Sequence, residues 1–185
     1  MTPFMKLGLS QIKTGENAFS FSTSEESWLK TLVDGLTDKG ISIAGPLSVQ
    51  LQLTKLEPDY YLKGKLSFTA DQVCARCTEV FSLPMEHSFA LGLAHVEAQG
   101  RGKTPDPVLA EESDELDINY FEGTELDLAP IVEEQLLLSL PYTAVCRPDC
   151  RGLCQSCGAD LNQGSCRCAQ LNPLSPFTAL SQLKH

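Results

Sequence analysis

The chain has 185 residues, 42% of them hydrophobic and 21% charged, and a formal net charge of −10. That apolar content supports a real core and excludes a wholly disordered chain, while the surplus of acids weighs against a protein that grips nucleic acid over its whole surface. No aliphatic run is long enough for a membrane span, and Met1-Thr2-Pro3-Phe4-Met5-Lys6 is not followed by the apolar stretch of a secretory signal. A cytoplasmic protein without a membrane partner is therefore expected. The charge is unevenly placed. Residues 97–134 hold 12 acids and 2 bases, whereas residues 146–185 hold 4 bases and 2 acids.

Ser20 to Gly40 predicts a helix with its body near 24–38. Thr23 and Glu26 have capping-box spacing, Trp28, Leu29, Leu32, Val33 and Leu36 form one apolar stripe, and Gly40 suits the stop. Three strand-like runs follow. Leu47, Val49, Leu51 and Leu53 alternate with polar residues, as do Leu62, Leu66 and Phe68, and Phe89, Leu91, Leu93 and His95 alternate with small ones. Pro58-Asp59 marks a turn between the first two runs. Residues 99–117 are rich in Gly, Pro and acid and predict a long, negatively charged loop. Leu126 to Leu140 predicts a second helix, with Asp127 as a cap, Pro130 in its first turn, Pro141 at its end, and Leu128, Ile131, Val132, Leu136 and Leu140 inward.

The expected fold is α+β: an antiparallel meander over about residues 41–96, packed against two helices, with a C-terminal cysteine-rich lobe. Residues 1–145 form the α+β domain and residues 146–185 the lobe and tail.

Eight cysteines stand in four close pairs, Cys74-x2-Cys77, Cys146-x3-Cys150, Cys154-x2-Cys157 and Cys166-x-Cys168. In a reducing compartment such pairs point to metal rather than to disulfides. Zinc suits a set of four thiolates, since it imposes little geometry of its own and tolerates soft donors. Gly158, just after Cys157, fits the tight turn of a knuckle. Cys154, Cys157, Cys166 and Cys168 are local and complete by themselves, which leaves Cys74 and Cys77 to converge with Cys146 and Cys150 across a long gap. A single shared site using some of the eight is the rival arrangement. One or two structural zinc ions are expected, with no open position for chemistry.

Catalytic patterns are weak. Cys74-Ala-Arg-Cys77 lies between strand-like runs rather than before a helix, unlike a thiol redox centre. His95-Val-Glu97 matches half of a zinc-deaminase signature, but no Cys-x2-Cys here follows a proline. No enzyme and no small-molecule substrate are expected.

Taken together, Val73-Cys-Ala-Arg-Cys77, Glu133-Glu134-Gln135-Leu-Leu-Leu-Ser-Leu-Pro141, Cys146-x3-Cys150-Arg-Gly-Leu-Cys154-x2-Cys157-Gly-Ala-Asp-Leu161, Cys166-x-Cys168 and Asn172-Pro173 form a pattern that resembles the YceD family, described as large ribosomal RNA subunit accumulation protein. The resemblance is strongest over residues 60–185. It implies a non-catalytic ribosome-biogenesis factor acting in accumulation or processing of the 23S ribosomal RNA precursor. The expected partners are that precursor, basic ribosomal proteins, or both. Arg76, Arg147, Arg151 and Arg167 are the candidate partner-binding residues, and the acidic loop is complementary to a basic protein. A zinc- or thiol-dependent enzyme and a zinc-ribbon adaptor unrelated to ribosomes are the alternatives.

Overall fold

A computed structural model describes residues 5–56, 59–96 and 117–168. Contacts divide the chain into two compact units, Met1–Asp71 with Ser82–Pro141, and Gln72–Phe81 with Tyr142–His185. Residues 72–81, assigned above to the α+β domain by their place in the chain, thus cluster with the C-terminal cysteines.

Among the described residues the larger unit holds a five-stranded mixed sheet, a two-stranded ribbon and two α-helices. Strands β2 (Gly15–Ser22), β3 (Ser42–Leu56), β4 (Asp59–Val73), β5 (Val80–Val96) and β6 (Asp117–Glu122) are ordered β2-β3-β4-β5-β6. The β2–β3 and β3–β4 pairs are antiparallel. The six residues joining β4 to β5 are too few for a parallel crossover, so that pair is a hairpin. β6 runs parallel to β5, which makes the sheet mixed beyond the expected meander. The ribbon pairs β1 (Lys6–Gly8) with β7 (Glu125–Asp127).

The alternation seen in the sequence becomes one apolar face. Val49 stands opposite Leu66, and Leu53 opposite Leu62, in the β3–β4 register. All four side chains are fully buried and share one cluster with residues of both helices. In β5 the alternation gives way, since Leu91, Leu93 and Ala94 are all buried. Gly64 stands opposite Leu51, and a Cβ there would lie 2.1 Å from Cζ of Phe89. The Phe89 ring therefore occupies the space a side chain would take. Gly64→Ala is expected to cost about 1–3 kcal/mol by overpacking, and to cost little in a Phe89→Ala background; paired thermal melts check this.

Helix α1 (Ser27–Asp38) buries Trp28, Leu29, Leu32 and Leu36, as its stripe predicts, with Val33 half-buried. Its end is a Schellman motif: Ile41 N–H donates to Leu36 O, Gly40 N–H to Thr37 O, and Gly40 has φ +85°. Its start corrects the expectation. Residues 20–22 belong to β2, the N-cap is Glu26 without a side-chain cap, and Thr23 Oγ1 accepts the Leu47 N–H at 3.1 Å. The hydroxyl meant for a capping box is thus used by the neighbouring strand.

Helix α2 (Ala129–Ser139) starts three residues later than expected, because Glu125–Asp127 pairs with β1 instead. Asp127 Oδ1 nevertheless accepts the Ala129 N–H at 3.1 Å, and it also accepts from Met5 N–H. Leu128, Ile131, Val132 and Leu136 are buried and Leu140 packs against the core. His87 Nε2 lies 3.1 Å from Gln135 Oε1, joining β5 to α2. His95 is a strand residue whose Nε2 lies 2.8 Å from Gly123 O. Residues 99–116 of the expected acidic loop lie outside the described residues, and Asp117 opens β6.

Candidate metal centres

The smaller unit is built around two cysteine knuckles of the same design. In Cys74-Ala-Arg-Cys77-Thr-Glu, Cys74 N–H donates to Glu79 O and Thr78 N–H to Cys74 O, at 2.8 and 2.9 Å. In Cys154-Gln-Ser-Cys157-Gly-Ala, Cys154 N–H donates to Ala159 O and Gly158 N–H to Cys154 O, both at 2.8 Å. The residue after the second cysteine is left-handed in each, Thr78 at φ +62° and Gly158 at φ +73°. Gly158 takes this conformation without strain; Thr78, β-branched, does not. Gly158→Val is expected to cost about 1–2 kcal/mol although the space around it is open, and Thr78→Gly to be near neutral as strain relief offsets lost chain entropy. Denaturant unfolding of the two variants tests the pair.

The knuckles bring the eight sulfurs into two quartets. Cys74, Cys77, Cys146 and Cys150 form one; Cys154, Cys157, Cys166 and Cys168 form the other. Within each, the ligand atoms all lie within 4.8 Å of one another. All eight are free thiols. The Cys74–Cys150 and Cys77–Cys146 sulfurs are 3.9 and 3.7 Å apart. A disulfide needs about 2.05 Å. A tetrahedron of sulfurs around an ion at about 2.3 Å has edges of about 3.8 Å. The first quartet has the size of a tetrathiolate metal site, and both quartets can hold an ion.

The electrostatics agree with that size. Burial pushes the Cys74 thiol up, but backbone N–H donors from Cys146, Cys77 and Arg76 outweigh it and bring it from 9.0 down to about 6. Burial, followed by the sulfurs of Cys74, Cys150 and Cys77, pushes Cys146 up to about 12. In the second quartet the N–H groups of Cys157 and Ser156 lower Cys154 to about 6, and the Cys157 sulfur foremost raises Cys168 to about 12. In each quartet one thiol is thus lowered while Cys146 and Cys168 are raised by burial and neighbouring sulfurs, an environment in which a bound cation would favour their ionisation. Loading must drive protons from Cys146 and Cys168, so metal affinity is expected to fall as pH falls; competition against a chelator between about pH 8 and about pH 6 reads it directly.

Contacts between the segments lock the unit. Cys146 N–H and Arg76 N–H both donate to Cys74 Sγ at 3.4 Å. The Arg76 guanidinium donates to Cys150 O at 3.0 Å and Pro148 O at 3.3 Å, so this candidate partner-binding residue has a structural task. Leu153 N–H donates to Arg76 O and Leu161 N–H to Gly152 O. Gly152 is left-handed, and a Cβ there would lie 2.8 Å from Arg76 O. Arg147 pairs with Asp149, and Arg147, Arg151 and Arg167 are exposed.

Two participants carry no metal-ligand signal in the sequence. Asn162 donates from Nδ2 to Cys150 Sγ at 3.5 Å and accepts Arg151 N–H on Oδ1 at 2.8 Å. Asp160 Oδ1 accepts both N–H groups of Asn162 that orient it. Their trace in the sequence is only the short-range Asp-x-Asn spacing, which turns also use.

A mixed α+β unit with a second unit organised on two cysteine quartets defines a two-unit protein whose smaller unit carries two candidate metal centres. Residues 62–184 match the family model described as Large ribosomal RNA subunit accumulation protein YceD, and the chain belongs to that family. A relative from Zea mays, named Large ribosomal RNA subunit accumulation protein YCED homolog 1, chloroplastic, is 28% identical over 163 residues, covering 77% of this chain and 56% of the relative. Its Arabidopsis thaliana namesake is 24% identical over 156 residues, covering 75% and 49%. An uncharacterized protein of Mycobacterium tuberculosis is 27% identical over 115 residues, covering 62% and 51%. The chain spans about half the length of these curated relatives. No solved structure matches it. No helix among the described residues is long and apolar enough to cross a membrane.

Proposed function

We propose that the protein is a non-catalytic factor for accumulation of large-subunit (23S) ribosomal RNA, acting in the cytoplasm, with a structural zinc ion in each cysteine quartet. The family membership carries the ribosomal part of this reading. The tetrathiolate geometry carries the metal part, because four sulfurs on one ion complete its shell and leave no position for substrate.

Charge favours basic ribosomal proteins as the direct contact on the precursor particle. The described part of the smaller unit has Arg76, Arg147, Arg151 and Arg167 against Glu79, Asp149 and Asp160. Each tetrathiolate zinc adds about −2, so the loaded unit is net negative, as is the whole chain. Affinity for bare RNA rests on surplus cations. The exposed arginines then serve local contacts within the particle.

Sedimentation of the tagged protein tests the reading. It should travel with precursor large-subunit particles, and its depletion should lower large-subunit RNA relative to small-subunit RNA. Arg151→Glu should keep its zinc and weaken the association. A protein that stays at the top of the gradient, with ribosomal RNA unchanged on depletion, refutes the role.

A further inference from the structure

The two quartets differ in access. In the inner quartet Cys74, Cys77 and Cys150 are 0%, 3% and 4% exposed, Cys146 is half-buried, none is exposed, and Phe81 and Val145 pack against them. In the other quartet Cys154, Cys166 and Cys168 are only half-buried and Cys157 is exposed. Susceptibility of a thiolate to oxidation follows its ionisation and its exposure. Zinc ionises all four sulfurs of each quartet, so exposure is the property that separates them. All four outer sulfurs also lie within 4.8 Å of one another, so a sulfur that is oxidised has a thiolate ready to attack it.

We propose that the quartet of Cys154, Cys157, Cys166 and Cys168 is a redox-releasable zinc centre, opened by hydroperoxides while the inner quartet keeps its ion. This rests on the zinc reading above. The exposed Cys157 thiolate attacks the terminal oxygen of the hydroperoxide, forming a sulfenic acid as the O–O bond breaks and hydroxide or alkoxide leaves. A neighbouring thiolate of the quartet then attacks the sulfenic sulfur, forming a disulfide and expelling hydroxide. With hydrogen peroxide, two thiolates lose two electrons in total, the peroxide gains them, and two protons from solvent complete two waters. The two remaining thiolates no longer hold the ion, and zinc leaves.

The inner centre makes the change reversible. Cys150 is four residues from Cys154, Leu153 N–H is held by Arg76 O, and Gly152 lies against Arg76. The outer segment thus stays anchored at its start when its ion is lost, and its cysteines remain near one another for reduction and reloading.

The full zinc-loaded chain is treated with graded hydrogen peroxide, with released zinc read by a chromogenic chelator and each cysteine mapped by alkylation and mass spectrometry. One equivalent of zinc should leave first, with oxidation confined to Cys154, Cys157, Cys166 and Cys168. A thiol reductant with added zinc should restore the starting state. Release of both ions together, oxidation of the inner cysteines first, or retention of both ions at peroxide that fully oxidises glutathione overturns the inference while leaving the zinc reading intact. A chain that binds no zinc at all overturns the zinc reading itself.

Discussion

Cys74→Ser is expected to remove one zinc ion and unfold the inner centre of the smaller unit while the larger unit stays folded. Cys74 is fully buried, its sulfur accepts two backbone N–H bonds, and its own N–H closes the knuckle onto Glu79 O. The apolar cluster at this centre consists of three cysteines with Phe81, Val145 and Cys146 packed on them. So small a core supplies little hydrophobic stabilisation, and an ion bound by the quartet would carry much of the fold. Structural zinc binding in small domains is worth about 10–16 kcal/mol, so losing one of four thiolates exceeds what this unit holds in reserve. The larger unit has its own extensive core, from Leu7 to Leu136. Metal analysis should find one zinc fewer, and limited proteolysis should cut within 72–81 and 142–168 first. A variant with its full zinc content and unchanged cleavage would show that the inner quartet does not bind metal.

Gly152→Ala should have the next largest effect, although it touches no ligand. Gly152 is at φ +71°, which costs an L-residue about 1–2 kcal/mol. The added Cβ would also meet Arg76 O at 2.8 Å, a backbone atom fixed by the first knuckle and already accepting the Leu153 N–H. Neither segment can retreat without breaking that bond, so a total cost of about 2–4 kcal/mol is expected. The signature is separable from loss of a ligand: the variant should still take up both ions, with a lower melting temperature and faster amide exchange at Leu153 and Leu161. Unchanged stability would mean that the two knuckles are not held against each other through this contact.

The sequence made the elements with a clear period legible. The α1 stripe, the alternation in β3 and β4, and the inner face of α2 follow from side-chain geometry along one element, and all but the half-buried Val33 and Leu140 are buried where the period puts them. The cysteine spacings also identified the local outer quartet, because its four ligands lie within one short stretch of chain.

What the period could not decide was pairing between distant segments. Ser20–Ser22 read as the start of a helix because Thr23 and Glu26 have cap spacing; the hydroxyl is instead used by Leu47 N–H, which only the β2–β3 pairing brings near. The parallel place of β6 beside β5 and the ribbon of β1 with β7 join segments with no shared local signal. The same holds at the inner quartet. Stoichiometry led to the expectation that Cys74 and Cys77 converge with Cys146 and Cys150, and the four sulfurs do come together, but spacing left a single shared site as the rival. The tertiary structure brings those sulfurs to 3.7 and 3.9 Å by means that no motif encodes: a left-handed Gly152 passing Arg76 O, the Arg76 guanidinium on two carbonyls, and Asn162 reaching Cys150. Spacing along a chain selects which residues can share an ion locally, whereas the hydrogen bonds of Arg76 and Cys146 to distant segments depend on where the whole backbone folds, and they determine which distant pair comes together.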